Sequence, residues 1–210
     1  MHKTVIHWFL KILITVISLS PVNSIANKQG NIKGESALGL QKSADCVACH
    51  GVDGNSIVAN FPKIAGQHSS YLVKSLSSYR DGTRDNSIMA GIAEKLTDKD
   101  IADLAAYFSG KDMSYGAADP ELVVRGEQIY RFGDFDKQIS ACIACHGPTG
   151  TGVASAIFPA LGGQWSDYLI SQLKLFHSDA RKNNMMNGVA ANLSEEDMKA
   201  VASYIEGLRK

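Results

Sequence analysis

Residues 46–56 read CVACHGVDGNS, and residues 142–152 read CIACHGPTGTG. Two longer blocks recur in the same order. FPKIAGQHSSYLVKSL at 61–76 returns as FPALGGQWSDYLISQL at 158–173, and MAGIAEKLTDKDIADLAAYFSG at 89–110 returns as MNGVAANLSEEDMKAVASYIEG at 186–207. The shift between copies is the same for the two longer blocks and one position shorter for the first. Three blocks in one order and nearly one register indicate a tandem duplication.

Each copy has the pattern of a mainly helical domain. Tyr71, Leu72 and Leu76 recur at helical spacing, and their counterparts in the second copy do the same. A shorter helix is predicted before each cysteine pair, around residues 35–44 and 121–132. Alternating strand patterns are absent from the sequence, so we predict an all-α fold.

The last helix of each copy has a clear start signal. Thr97-x-x-Asp100 opens the first, and Ser194-x-x-Asp197 opens the second, both in the pattern of a capping box. The segment GKDMSYGAADPE, rich in glycine and ending near a proline, reads as a linker. The predicted organisation is a first domain at 27–110, a linker at 111–120 and a second domain at 121–210.

The N-terminus, MHKTVIHWFLKILITVISLSPVNSIAN, has the layout of a secretory signal peptide over residues 1–26. Basic residues precede an apolar run, and small residues lie where a signal peptidase cleaves. Lys11 interrupts the run, which favours cleavage after Ala26 over an uncleaved membrane anchor. With 21 basic and 21 acidic residues, the chain has no charge bias toward nucleic acid. Because of the signal-peptide layout, we expect export to the periplasm.

Cys46, Cys49 and His50 form one cluster, and the second copy repeats it at Cys142, Cys145 and His146. Cys-x-x-Cys-His is the attachment signature of c-type haem. Two cysteines three residues apart lie on one face of a helical turn, where both reach the haem vinyl groups as thioethers. The next residue then presents its imidazole to the iron. The sequence thus predicts two covalently bound haem c groups.

Three other uses of these cysteines fit the sequence less well. A structural zinc site with two Cys-x-x-Cys pairs usually places them about 15–20 residues apart. A thioredoxin-like redox pair requires a βαβ context, which the helical pattern lacks. A disulfide, although available to an exported protein, leaves both histidines without a purpose.

A second axial ligand is expected in both copies, and methionine is common in cytochromes c. Met89 follows His50 at almost the same separation as its repeat counterpart Met186 follows His146. Met185 aligns with Ile88, which has no atom that binds iron. We therefore predict axial pairs of His50 with Met89 and His146 with Met186, and a packing role for Met185.

Further repeated residues suggest what surrounds the haem groups. A backbone carbonyl at Pro62 and Pro159 would accept a hydrogen bond from the ligating histidine and fix its ring. The alternative is a rigid turn with no such contact. Three polar pairs are candidates for binding haem propionates or for solvated helix surface: Gln67 and Gln164, Tyr71 and Tyr168, Arg84 and Arg181.

The paired C-x-x-C-H-G, F-P-x-x-x-G-Q and M-x-x-x-A-x-x-L-[ST] motifs resemble the cytochrome c4 family of dihaem cytochromes over about residues 30–210. The resemblance implies two tandem class I cytochrome c domains related by a pseudo-twofold axis, with haem propionate edges approaching each other at the interface. It also implies a periplasmic or loosely membrane-associated electron carrier. The stretch YRFGDFDKQISAC departs from the repeat, because it is longer than its counterpart in the first copy.

The function expected from this resemblance is electron transfer, one electron per haem, with no catalytic residues. Partners would be an upstream reductase and a downstream terminal oxidase that dock transiently, with no nucleic acid and possible peripheral membrane association. One alternative is a c4-like haem subunit of a flavoprotein or other dehydrogenase. Another, a dihaem peroxidase, requires an iron that opens a site for peroxide.

Overall fold

The computed structural model describes residues 32–209, and within this range every regular element is helical. The predicted signal segment lies outside the described residues. The helices of the first repeat are α1 (Ser36–Lys42), α2 (Ala44–His50), α3 (Ser69–Arg80), α4 (Ser87–Ala93) and α5 (Asp98–Ser109). Those of the second are α6 (Val123–Phe132), α7 (Ile143–His146), α8 (Ser166–His177), α9 (Asn184–Ala190) and α10 (Glu195–Gly207), with a 3-10 turn at Ala154–Ala156.

The predicted all-α class is confirmed, and so are the two capping boxes. Thr97 and Ser194 are the N-caps of α5 and α10, and each exchanges hydrogen bonds with the aspartate three residues later. These bonds satisfy amide groups that a helix N-terminus leaves unpaired. Residues 32–209 contain no helix long and apolar enough to cross a membrane.

The first and last helices of each repeat cross at a glycine. A side chain at Gly39 of α1 would lie 2.1 Å from the carbonyl oxygen of Asp103 in α5. At Gly126 of α6 it would lie 2.2 Å from the carbonyl oxygen of Ala200 in α10. Because Asp103 and Ala200 are repeat counterparts, Gly39 and Gly126 occupy the same structural position. The duplication therefore includes the N-terminal helices, whose sequences have diverged.

The second repeat carries its extra residues between α6 and α7. Gly39 precedes Cys46 by seven residues, whereas Gly126 precedes Cys142 by sixteen. The inserted segment folds back on itself through backbone hydrogen bonds between Asp134 and Ile139. Ile139 is 4% exposed and joins the core of the second repeat. The departure from the repeat is thus a local insertion that extends the apolar core.

Asp197 anchors α10 to the rest of the second repeat. Its buried carboxylate accepts hydrogen bonds from Arg125 on α6 at 2.7 Å and from Lys137 in the inserted segment at 2.8 Å. Burial by itself would raise the pKa of Asp197, but the hydrogen bonds from Lys137 and Arg125 outweigh it and lower the pKa to about 2. The ionised form therefore stabilises the folded chain.

Replacing Asp197 with asparagine is expected to destabilise the protein at neutral pH by about 1–3 kcal/mol, since the ion pairs with Arg125 and Lys137 are lost. The carboxylate contributes its stability above its unfolded pKa of 3.8 and loses it as the pH falls through about 2. The difference between wild type and Asp197→Asn should therefore shrink below pH 4 in urea titrations. Glu195→Gln, which removes an exposed pair with Lys174, is the control and should change little. A constant difference from pH 7 to pH 2 would contradict this role.

The glycine crossing gives a second expectation. Gly126→Ala should lower the free energy of unfolding by about 1–3 kcal/mol, because the new methyl group overlaps the backbone of α10. Gly188→Ala on α9 meets no atom within 4 Å and should be neutral or stabilise by about 0.5–1 kcal/mol. Equal effects of both substitutions in urea denaturation would show that the crossing is not closely packed.

Candidate haem-binding sites

Both Cys-x-x-Cys-His motifs lie on a short helix that ends at the histidine. Cys46 and Cys49 lie in α2, while Cys142 is the N-cap of α7 and Cys145 lies within it. A helical turn places residues three apart on one face, so the two cysteines of each motif share a face. The following glycines have φ values of +80° and +76°, a conformation that ends the helix and that other residues rarely adopt.

The two motif histidines are held in the same way. His50 and His146 are 8% and 7% exposed. Nδ1 of His50 lies 2.8 Å from the carbonyl oxygen of Pro62, and Nδ1 of His146 lies 3.0 Å from that of Pro159. Because a carbonyl oxygen only accepts, Nδ1 carries the proton and Nε2 keeps the lone pair that binds a metal. The expected proline carbonyl contact is confirmed in both repeats.

Burial favours the neutral form of these imidazoles. It lowers the pKa of both His50 and His146, and the hydrogen bonds to the proline carbonyls oppose this only in part. A neutral imidazole with Nδ1 committed to a carbonyl is the state in which histidine ligates iron. The two histidines thus have the protonation and orientation that an axial ligand requires.

Two of the four cysteines lie in surroundings that disfavour a free thiolate. Burial raises the pKa of Cys46 and of Cys142 to about 11, so these thiols are protonated at neutral pH. The four cysteines form no disulfide. Within residues 32–209, no group of three or more histidine, cysteine or acidic side chains gathers into a metal cluster. The tetrathiolate zinc alternative therefore has no structural support.

The two methionines predicted as iron ligands occupy equivalent positions on equivalent helices. Met89 and Met186 are each the third residue of α4 and α9, and their amides donate to the N-cap side chains of Asn86 and Asn183. Both methionine side chains are half-buried. Met185 is 55% exposed, so the prediction that it packs beside the ligand is wrong. Its position on α9 turns it outward, toward solvent.

Gln67 and Gln164, which were candidates for propionate binding or helix surface, are not on the surface. They are 5% and 4% exposed, and their side chains form hydrogen bonds with the backbone of the opposite repeat. Oε1 of Gln67 accepts from the amide of Ala160 at 2.9 Å, and Nε2 donates to the carbonyl of Ala160 at 2.9 Å. Gln164 does the same to Lys63, at 2.9 and 2.7 Å. We call these four hydrogen bonds the glutamine clamp. The only sequence signal for it was the recurrence of Gln five residues after each Pro.

The arginine and tyrosine pairs also meet between the repeats instead of forming solvated surface. Arg84 donates to the hydroxyl of Tyr168 at 3.1 Å, and Arg181 donates to the hydroxyl of Tyr71 at 2.9 Å. Gln172 accepts from both guanidinium groups. These reciprocal bonds are what a pseudo-twofold relation between the repeats produces.

The same cluster fits a bound anion. Arg84 is 9% exposed, and among residues 32–209 neither Arg84 nor Arg181 has a carboxylate within salt-bridge distance. Both line a cavity of about 70 Å³, which Asp85 also lines. A buried guanidinium without a carboxylate is costly, and an external carboxylate compensates for it. Paired thiols, oriented imidazoles and these arginines together suit haem, whose propionates are carboxylates.

Comparisons with known proteins agree with this geometry. The Cytochrome c family model matches residues 37–110 and again residues 123–209. Cytochrome c4 of Pseudomonas aeruginosa is 43% identical over 202 residues, which cover 94% of this chain and 98% of that protein. The crystal structure of reduced recombinant cytochrome c4 from Pseudomonas stutzeri matches with a TM-score of 0.82 and 44% identity, covering 84% of this chain and 100% of that one.

A further relative carries a more specific name. A thiosulfate dehydrogenase electron acceptor of Thiomonas intermedia is 37% identical over 175 residues, which cover 78% of this chain and 78% of that protein. Three findings support the same family: the two consecutive family matches, the cytochrome c4 relatives that align over nearly the whole length, and the duplicated sites. This chain belongs to the cytochrome c family, within the cytochrome c4 group of dihaem electron carriers, and binds two covalent haem c groups.

Proposed function

We propose that this cytochrome works in the periplasm, taking electrons from an upstream reductase and donating them to a terminal oxidase, one electron per haem. The observation that carries the proposal is the equivalence of the two sites. Each repeat presents a buried histidine with Nδ1 bonded to a proline carbonyl and a methionine at the third position of an asparagine-capped helix. Two such sites suit storage and transfer of electrons.

The chain's own residues have distinct tasks in this proposal. Each haem would be held covalently by two cysteines, Cys46 and Cys49 in the first repeat and Cys142 and Cys145 in the second. The chemistry that haem would supply when bound is one-electron exchange between ferrous and ferric iron. His50 and His146 would bind the iron through Nε2, because their proline contacts occupy Nδ1.

Met89 and Met186 would supply the second protein ligand to each iron. A thioether is a soft ligand that favours ferrous iron and so raises the reduction potential. A histidine and a methionine bound to each iron would leave peroxide no open site, so this ligand set would not suit a peroxidase. Electron transfer then needs only an exposed haem edge and a weak docking surface.

A second partner is favoured by one specific finding. The relative named thiosulfate dehydrogenase electron acceptor matches three quarters of this chain at 37% identity. This similarity supports the alternative in which the chain accepts electrons from a dehydrogenase that oxidises a sulfur compound. Export by the predicted signal segment would bring either partner within reach.

Substitution of the methionines tests the ligand assignment. Met186→Ala should remove about half of the near-infrared sulfur-to-iron charge-transfer absorption of the oxidised protein, because one of two Met-ligated sites is lost. Met185→Ala is the matched control and should leave the band intact, since Met185 is exposed and aligns with Ile88. A full band in Met186→Ala, or a halved band in Met185→Ala, would contradict the assignment of Met186 as an iron ligand.

The electron partners can be separated kinetically. The pre-reduced protein is mixed with membranes from its own organism, and the pre-oxidised protein with a thiosulfate-oxidising extract. If the protein donates to an oxidase, the membranes should oxidise it with turnover that cyanide blocks. Reduction that requires thiosulfate and the soluble extract would support the dehydrogenase. Absence of oxidation by membranes would contradict donation to an oxidase.

A further inference from the structure

One peptide group in each repeat takes part in two hydrogen bonds of different origin. The carbonyl of Pro159 accepts from Nδ1 of His146, and the N–H of the same peptide group, on Ala160, donates to Gln67 of the opposite repeat. The peptide between Pro62 and Lys63 is shared in the same way by His50 and Gln164. Each motif histidine is therefore connected to a glutamine of the other repeat through a single peptide.

We propose that Gln67 and Gln164 are positioning residues that tune the reduction potential of the haem in the opposite repeat. Gln67, in the first repeat, acts on the haem of His146. Gln164, in the second, acts on the haem of His50. This inference rests on the proposed function, in which the two histidines bind the irons.

The physical link is polarisation of the peptide. A peptide whose N–H donates to an acceptor carries more negative charge on its carbonyl oxygen, and bonds in such a chain strengthen one another by about 10–30% each. A stronger carbonyl acceptor draws the proton of Nδ1 and makes the imidazole a more basic ligand. A more basic ligand stabilises ferric iron. The glutamine clamp should therefore lower the potential of the haem opposite.

The clamp also fixes where the proline carbonyl lies. Nε2 of each glutamine bonds the carbonyl of the residue after the proline, so one side-chain amide holds two successive peptides. Both glutamines are almost completely buried, and Oε1 also accepts from the next amide of its own chain. Burial keeps water from competing for these groups. The hydrogen bonds therefore persist, and water does not weaken the polarisation of the peptide.

Gln67 gives the cleaner test. Gln164 holds Lys63, whose ammonium group donates to Gly163 and Ser114, so a substitution there would also displace a buried charge. Gln67 holds Ala160, which has no charge to move. Gln67→Met keeps the length of the side chain and removes both hydrogen bonds to Ala160, together with the one from the amide of His68. Gln67→Leu serves as a second variant in case the methionine variant does not fold.

We expect Gln67→Met to raise the potential of the second-repeat haem only, although the substituted residue is in the first repeat. The expected change in the ferric-to-ferrous ratio at fixed potential is roughly two- to threefold, about 18–28 mV at 59 mV per tenfold for one electron. NMR redox titration measures both haem groups, with methyl resonances assigned through contacts to Cys46 or Cys142. In the reduced protein, Nδ1–H of His146 should exchange faster with solvent and that of His50 should not change.

Ser70→Ala is the control for a loosened interface. It removes another hydrogen bond between the repeats, from Oγ of Ser70 to the carbonyl of Ala154, and leaves both proline peptides intact. Both potentials should stay as in the wild type. A shift of the first-repeat haem, an equal shift of both, or no shift in Gln67→Met would overturn the proposal. If the wild type shows no Nδ1–H signals shifted by a haem ring, the proposed histidine ligation itself fails, which is a separate result.

Discussion

The hydrogen bond from Nδ1 of each motif histidine to a proline carbonyl is the contact on which the sites depend. It selects the tautomer that leaves Nε2 free, and it ties the short cysteine helix to the loop that leads into the next long helix. That loop is fixed in turn to the last helix of its repeat, because the amide of Gly66 donates to Phe108 and the amide of Gly163 donates to Ile205. Cysteine helix, proline loop and terminal helix thus form one frame, used twice.

Much of this frame could be predicted from the sequence because its signals are local or repeated. The capping boxes at Thr97 and Ser194 are read within four residues, and the structure confirms both. The duplication gave the second kind of signal. A residue that recurs at the same position in both copies, such as Pro62 with Pro159, is more informative than one that occurs only once. Comparison of the copies also distinguished Met186 from Met185, although the ligand role of Met186 stays a prediction.

The contacts between the repeats could not be predicted in the same way. Gln67 and Gln164 join residues about one hundred positions apart, and no local pattern records such a pairing. A polar side chain that is buried with its hydrogen bonds satisfied has the same letter as one on the surface. The expectation that these glutamines form helix surface was wrong for this reason. The equivalence of the two N-terminal helices could not be predicted from their sequences, which have diverged around the glycine at each crossing, Gly39 in one and Gly126 in the other.

The two sites share a backbone frame but differ in charge. In the glutamine clamp, Gln164 bonds to the backbone of Lys63, whereas Gln67 bonds to the backbone of Ala160. The ammonium of Lys63 is buried, donates to two carbonyls and lies 4.0 Å from the centre of the Trp165 ring, and burial lowers its pKa. Charges interact strongly over long distances where water is excluded. A positive charge present on one side only therefore gives the two haem groups different electrostatic surroundings, and identical frames do not imply identical reduction potentials.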